Sequence, residues 1–372
     1  MIIKKSMTNG EISSFLLIAF CCYFMTTILP ISPIYLTFFL GVFVVFCNAN
    51  KVSIPKKNIL VYLVVFLYSF WFLVGCFVTN TTFHEALVTF VFALYYIFVD
   101  ISLYQVNEKN KIQNLLKLYF IFFIVYYIFD LYMRYKNMLS SDVPAWIAAN
   151  PIYSFYLLKD GGLTGDSNTI GVFCVTFFSV LFYANVKSLL SKKYVFIAFL
   201  LVVFSCSRAA ILSCVFIYMF WHIFYKQNVY VKVFSSVIVC FIAFYAIFIF
   251  INDPSFLTKI EIFQKTFEYL SNADITSFLF GCGPNKSTNV LGRYAHNIWS
   301  ILLVEYGFVS FVLFILMILV VMVDTGKYFF IISIPYFIVS LSFTPIFLQF
   351  LFTGFALIKH IYRIYRIYNN KY

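Results

Sequence analysis

The chain has 372 residues, of which 63% are hydrophobic, 23% aromatic and only 11% charged. A soluble domain draws about a quarter of its residues from Asp, Glu, Lys and Arg, so this composition excludes a water-soluble globule and points to a polytopic helical membrane protein. The net charge of +12 comes from 26 basic and 14 acidic residues scattered in short islands between apolar runs, which suits membrane topology and not a basic face for nucleic acid.

Segments such as FIFFIVYYIF, residues 120–129, are apolar on every side and so read as helices in lipid rather than as alternating barrel strands. Lys4 and Lys5 precede an apolar run beginning near Phe15, and no small-residue cleavage site follows, which predicts an uncleaved first span. Pro30-Ile31-Ser32-Pro33 then predicts a tight hairpin. In chain order, spans are expected at 12–29, 34–48, 59–78, 85–104, 118–135, 169–186, 194–207, 209–225, 233–252, 297–322, 329–343 and 346–359. Alternation from a cytoplasmic N-terminus leaves 18 of the 26 basic residues on the inner side, as the positive-inside rule requires. The expectation is one integral membrane domain over 1–372, all-α, with about a dozen spans and both termini cytoplasmic.

Two connections, 136–168 and 253–296, are too long for turns, and both fall on the outer side. The second contains Phe256, Ile260, Phe263, Phe267 and Leu270 at helical spacing with Lys259, Glu261, Lys265 and Glu268 between them. Asp253 and Pro254 suit an N-cap and a first-turn proline, so an amphipathic helix is expected, its apolar stripe against the bilayer surface or the bundle. Of the nine cysteines only Cys282 falls in an outer loop, and C-x-x-C spacing is absent. Inert thiols, no metal site and no cofactor are expected.

Three outer segments carry chemistry. In KDGGLTGDSNTIG, 159–171, glycines let backbone amides approach a ligand and a helix N-terminus favours an anion, although Asp166, Ser167 and Asn168 are also plain N-capping types. In SCSRAAIL, 205–212, Arg208 sits between two apolar runs. It either snorkels to the interface or presents a guanidinium fork to a phosphate. The third is GCGPN, 281–285, followed by Arg293 and AHNIWSILLVEYG, 295–307. Here His296 can sit where charge changes during reaction, or His296 or Asn297 can cap the helix while Arg293 snorkels. Glu305 is expected to be a structural partner for a neighbouring span. Asp130 and Arg134 are spaced to pair on one helix, and His222 beside Trp221 reads as an interface anchor.

GLTGDSN, SRAAIL and GCGPN with AHNIWSILLVEYG, in this order and on this side, resemble the bacterial O-antigen polymerase family and its sibling O-antigen ligases, over roughly 159–310. The resemblance implies a GT-C-like multi-span glycosyltransferase of the bacterial inner membrane. Such an enzyme transfers a growing glycan from undecaprenyl diphosphate to a new lipid-linked repeat unit at the periplasmic face, with a chain-length regulator and a flippase as partners. It implies catalytic roles for Arg208 and Arg293 on the diphosphate and for His296, either as general base for the acceptor hydroxyl or in orienting the diphosphate. Lys159, Gly165, Asn168, Asn297 and Gly283 are the expected substrate-binding positions. Lys159 departs from the family, where relatives often carry an arginine. A ligase acting on a lipid A core acceptor and a transporter or flippase of lipid-linked glycan are the rival readings.

Overall fold

The computed structural model describes residues 9–20, 33–49, 56–81, 83–140, 157–158, 162–163, 167–226, 228–234, 237, 241, 254–295, 297–341 and 348–369. Every regular element among them is helical. In chain order these are α1 (Asn9–Phe20), α2 (Pro33–Ala49), α3 (Lys56–Val78), α4 (Phe83–Leu103), α5 (Lys109–Ser140), α6 (Ser167–Val186), α7 (Lys192–Phe204), α8 (Arg208–Lys226), α9 (Pro254–Asn272), α10 (Ile275–Phe280), α11 (Ser287–Leu291), α12 (Ile298–Val304), α13 (Gly307–Thr325), α14 (Phe330–Ser340) and α15 (Leu348–Asn369).

Among the described residues, Asn58–Val78, Lys109–Ser140, Ser167–Val186 and Gly307–Thr325 are long and apolar enough to cross a membrane, and five shorter apolar helices accompany them. The outside of the bundle carries the matching solvent preference. On α3 the exposed side chains include Ile59, Leu63, Phe66 and Phe70, on α5 Ile121, Val125, Ile128 and Tyr132, and on α13 Phe308, Val312, Leu316, Leu319 and Val323. Spacings of three and four put each set on one helical face, as a helix facing hydrocarbon requires.

Several boundaries differ from the sequence reading. α5 runs for 32 residues, about 48 Å at ~1.5 Å per residue, so it begins well before 118 and occupies the first five positions assigned to the outer loop. α15 likewise continues to Asn369, ten residues past its expected end. The span expected over 297–322 is two helices, broken at Glu305-Tyr306. Residues 30–32 of the first hairpin and most of 233–252 lie outside the described residues.

The central post is α6. Of its apolar stretch 89% is buried, against 28% for α13. It packs on α7, α8, α14 and α15, and Phe177 stacks on Phe123 of α5 at 4.1 Å between centroids. Small residues set how closely the neighbours come. A Cβ on Gly171 would lie 2.7 Å from Ser207 Cβ, and one on Gly354 of α15 would lie 3.1 Å from Thr176 of α6 and 2.7 Å from Ile332 of α14.

At the opposite end of the bundle from the motif segments, four helices are clamped by buried charge. The Lys359 ammonium of α15 bridges Asp100 of α4, at 2.7 Å, and Asp324 of α13. Tyr62 of α3 donates to Asp100 at 2.7 Å, and Tyr96 of α4 donates to Asp324 at 2.8 Å. The side chains of both aspartates are at most 2% exposed, so removing the lysine strands two carboxylates. Lys359→Met is expected to cost about 3–5 kcal/mol, read as a fall in the thermal unfolding midpoint in detergent. Combining it with Asp100→Asn and Asp324→Asn should recover most of that loss, because no charge is then left unpaired.

Candidate functional site

The three motif segments share one end of the bundle. Lys187, just past the end of α6, donates to the Tyr328 hydroxyl at 3.1 Å, and Tyr328 follows the end of α13. The starts of these two helices, Ser167 and Gly307, therefore both lie toward the other end.

There α6 and α8 begin side by side. Ser207 Oγ donates to Asn168 Oδ1 at 3.1 Å, and Gly171 provides the room for that approach. The connecting turn is tight, with Cys206 at φ +58° and the Ser207 amide donating to Ser205 Oγ at 3.3 Å. Arg208 is the first residue of α8 and is exposed. Two adjacent helix N-termini present a concentration of positive dipole. A guanidinium in the first turn has the unfavourable sign for that dipole and becomes favourable when an anion sits at the mouth.

The loop leading into α6 is fastened by α5. Asp130 and Arg134 pair as the spacing predicts, Nε to Oδ2 at 2.6 Å, and both are buried. Their other atoms hold the loop: Arg134 Nη1 donates to the Leu158 carbonyl at 3.1 Å, and the Leu163 amide donates to Asp130 Oδ1 at 2.7 Å. Gly162 crosses directly over the pair, where a Cβ would lie 2.6 Å from Arg134 Nε. Lys159 and Gly165 lie outside the described residues.

The GCGPN loop is held by Glu305, a correction to its expected role as partner of a neighbouring span. The helix breaks after α12, which frees the Glu305 carboxylate to accept from the amides of Asn285, at 2.9 Å, and Ser287, at 3.2 Å. Backbone bonds run beside these contacts, from the Cys282 amide to the Val304 carbonyl at 2.8 Å and from the Gly283 amide to the Glu305 carbonyl at 3.0 Å. Gly281 and Gly307 both have φ +79°, and a Cβ on either would collide with the other's segment. Gly283, at φ +99°, sits against Thr79 beyond the end of α3, and Lys286 Nζ donates to the Thr79 carbonyl at 2.9 Å. Burial and then the nearby Glu305 push the Cys282 thiol up to about 12, too high for a thiolate nucleophile near neutral pH.

α9 starts at Pro254, as the sequence predicts, and its burial decides between the two placements left open for its apolar stripe. Ile262 and Thr266 are buried, whereas Leu257, Ile260 and Phe267 of the apolar side are exposed. The bundle is met by the charged side: Glu261 pairs with Lys265 and with Arg293, each at 3.1 Å, and Lys265 also donates to the Leu291 carbonyl at 3.1 Å. The apolar stripe is thus left to the bilayer surface, one of the two options read from its periodicity.

Asn297 is the N-cap of α12, its side chain accepting from the Ser300 amide at 2.8 Å. Its Nδ2 is buried without a hydrogen-bond partner among the described residues. His296 lies outside the described residues, between buried Ala295 and Asn297. α14 stands between the Arg208 and GCGPN sides: Ser213 of α8 donates to the Pro335 carbonyl at 3.3 Å, and Trp299 of α12 stacks on Phe337 at 5.4 Å.

The loop-holding role of Glu305 and the Glu261–Arg293 pair were not read from the sequence. An acidic residue two positions before a glycine, inside an otherwise apolar run, was the available signal for a break. Compared with protein-family models, with curated proteins and with solved structures, the chain gives no match.

Glu305→Ala is expected to leave the Asn285 and Ser287 amides without their acceptor, at about 1–3 kcal/mol for the buried Ser287 amide and less for the exposed Asn285. The loss should be read as faster hydrogen exchange over 283–287 with exchange over α6 unchanged. The hydrogen bond from Lys265, and then the charge of Arg293, hold the Glu261 carboxyl below its ordinary range. Because this pKa is depressed in the folded protein, the latch is complete above the usual carboxylate pKa and is lost as pH falls through the lowered one. Exchange over 291–293 should therefore rise only at acid pH, and in Glu261→Gln it should be raised already at pH 7.

Proposed function

We propose that this chain is a lipid-linked glycan polymerase of the O-antigen type. In this reading it is a GT-C-like glycosyltransferase of about 12 spans in the bacterial inner membrane, with both termini cytoplasmic. The motif end of the bundle then faces the periplasm. The observation that carries the reading is the juxtaposition of the α6 and α8 N-termini through Asn168 and Ser207, with Arg208 at the mouth. That arrangement suits a diphosphate, which offers two anionic centres to a forked donor and to helix N-termini.

Outside the cytoplasm there are no nucleotide sugars, so a bond-forming enzyme must use a donor that carries its own leaving group. The acceptor hydroxyl of a new lipid-linked repeat unit attacks the anomeric carbon of the growing glycan. The bond from that carbon to the diphosphate oxygen breaks, and undecaprenyl diphosphate departs with the electron pair. Arg208 stabilises the charge gathering on the diphosphate, joined by Arg293 when it leaves Glu261. His296 takes the proton of the acceptor hydroxyl. Asn168 lines the donor approach, Lys159 and Gly165 are further proposed substrate-binding positions, and Gly283 and Asn297 hold the acceptor side in shape. A chain-length regulator and a flippase are the proposed partners.

The test is gel analysis of products from protein reconstituted in liposomes with undecaprenyl diphosphate repeat units. A ladder from these units alone is expected. Arg208→Lys should slow its formation by about 100-fold, the cost of losing one well-placed donor, whereas Lys159→Ala should keep most of the activity. Transfer only in the presence of lipid A core would make the protein a ligase, and no transfer in either case would reject the glycosyltransferase reading.

A further inference from the structure

At the end of the bundle remote from Arg208, a groove of about 890 Å³ runs between α6, α7 and α8. Phe178 and Phe182 form its floor, and Phe196, Phe199, Val215 and Tyr218 form its walls. Phe196, Val215 and Tyr218 are exposed on the flank of the bundle, so the groove opens sideways, where the apolar face of a bilayer protein meets acyl chains.

One mouth of this groove is cationic. Lys187 and Lys192 both line it, and none of its lining residues is acidic. Lys187 is 9% exposed, and its ammonium is held 3.1 Å from the Tyr328 hydroxyl and 4.1 Å from the centre of the Tyr365 ring. Lys192 opens α7 and is followed by Lys193. α7 has no acidic residue in its first turn, and the side chain of its N-cap, Ser191, makes no capping bond. Lysines at a helix N-terminus oppose the dipole, and uncapped amides there seek an acceptor. A phosphate satisfies both at once.

The geometry points to a binding site for an anionic phospholipid, its phosphate between Lys187, Lys192 and the first turn of α7 and an acyl chain along Phe178 and Phe182. A free phosphate has no use for the apolar length, and a neutral lipid has no use for the lysines. The assignment is independent of the glycosyltransferase reading and needs only that the bundle sits in a bilayer.

Native mass spectrometry of the full chain, released from micelles containing equal phosphatidylglycerol and phosphatidylcholine, tests it. Phosphatidylglycerol should be retained about fivefold or more over phosphatidylcholine, and Lys192→Gln should lower that preference about fivefold, the weight of one basic residue beside an anionic lipid. Lys192 is exposed, so its replacement leaves the core intact. Val215→Trp, which fills the apolar length, should reduce phosphatidylglycerol retention without touching a charge. Equal retention of the two lipids, a preference unchanged in Lys192→Gln, retention unchanged in Val215→Trp, or displacement of phosphatidylglycerol by millimolar inorganic phosphate would each overturn the assignment.

Discussion

Everything at the motif end depends on α6 being enclosed by protein. In a bilayer, burying an apolar helix against other apolar helices gains little from the hydrophobic effect, since lipid tails solvate it equally well, and close packing must hold the bundle instead. The positions that permit close packing are small ones. Gly171 admits α8, and Gly354 admits both α6 and α14, while Phe177 and Phe173 stack on Phe123 and Phe350. Because Gly171 is one turn from the start of α6, the same contact that seats α8 also aligns the two helix N-termini. Packing and the anion-favouring geometry are one arrangement.

The polar loops at that end are organised by a device used twice. Asp130 and Glu305 are fully buried carboxylates; Asp130 accepts the Leu163 amide and Glu305 the amides of Asn285 and Ser287, each in a segment that contains glycine. Asp130 is balanced by Arg134 on its own helix. Glu305 gains its position from a helix break. In both places glycine is needed because the loop passes within contact distance of the carboxylate or of its backbone, as at Gly162 over Asp130 and Gly281 over Glu305.

The helical class and most helix positions were legible because apolar runs of membrane length admit few alternatives. Boundaries failed where a helix leaves the hydrocarbon and changes composition, as in the polar first turns of α5 and the basic last turns of α15. The break at Glu305-Tyr306 was hidden because hydropathy is blind to a positive φ, and Gly307 sits among residues that otherwise read as one span. In α9 the period was legible but the buried side was not. Ile262 and Thr266 are buried because Glu261 and Lys265 reach Arg293 and Leu291, partners more than twenty residues away. The pairing of Asn168 with Ser207 is likewise a tertiary fact that neither motif contains alone.

α7 has a further consequence. Its 13 residues rise about 20 Å, while hydrocarbon is about 30 Å thick. In the proposed 12-span reading α7 crosses the membrane, and a helix this short is then mismatched to the bilayer around it. The bilayer beside α7 thins, or the polar Ser205-Cys206-Ser207 turn lies below headgroup level and draws water down to it. Either way, Arg208 would then sit in a dimple of the membrane surface. A headgroup drawn into that dimple meets the guanidinium while its lipid tail is still in the leaflet, so a lipid-borne anion can be engaged without being lifted from the bilayer.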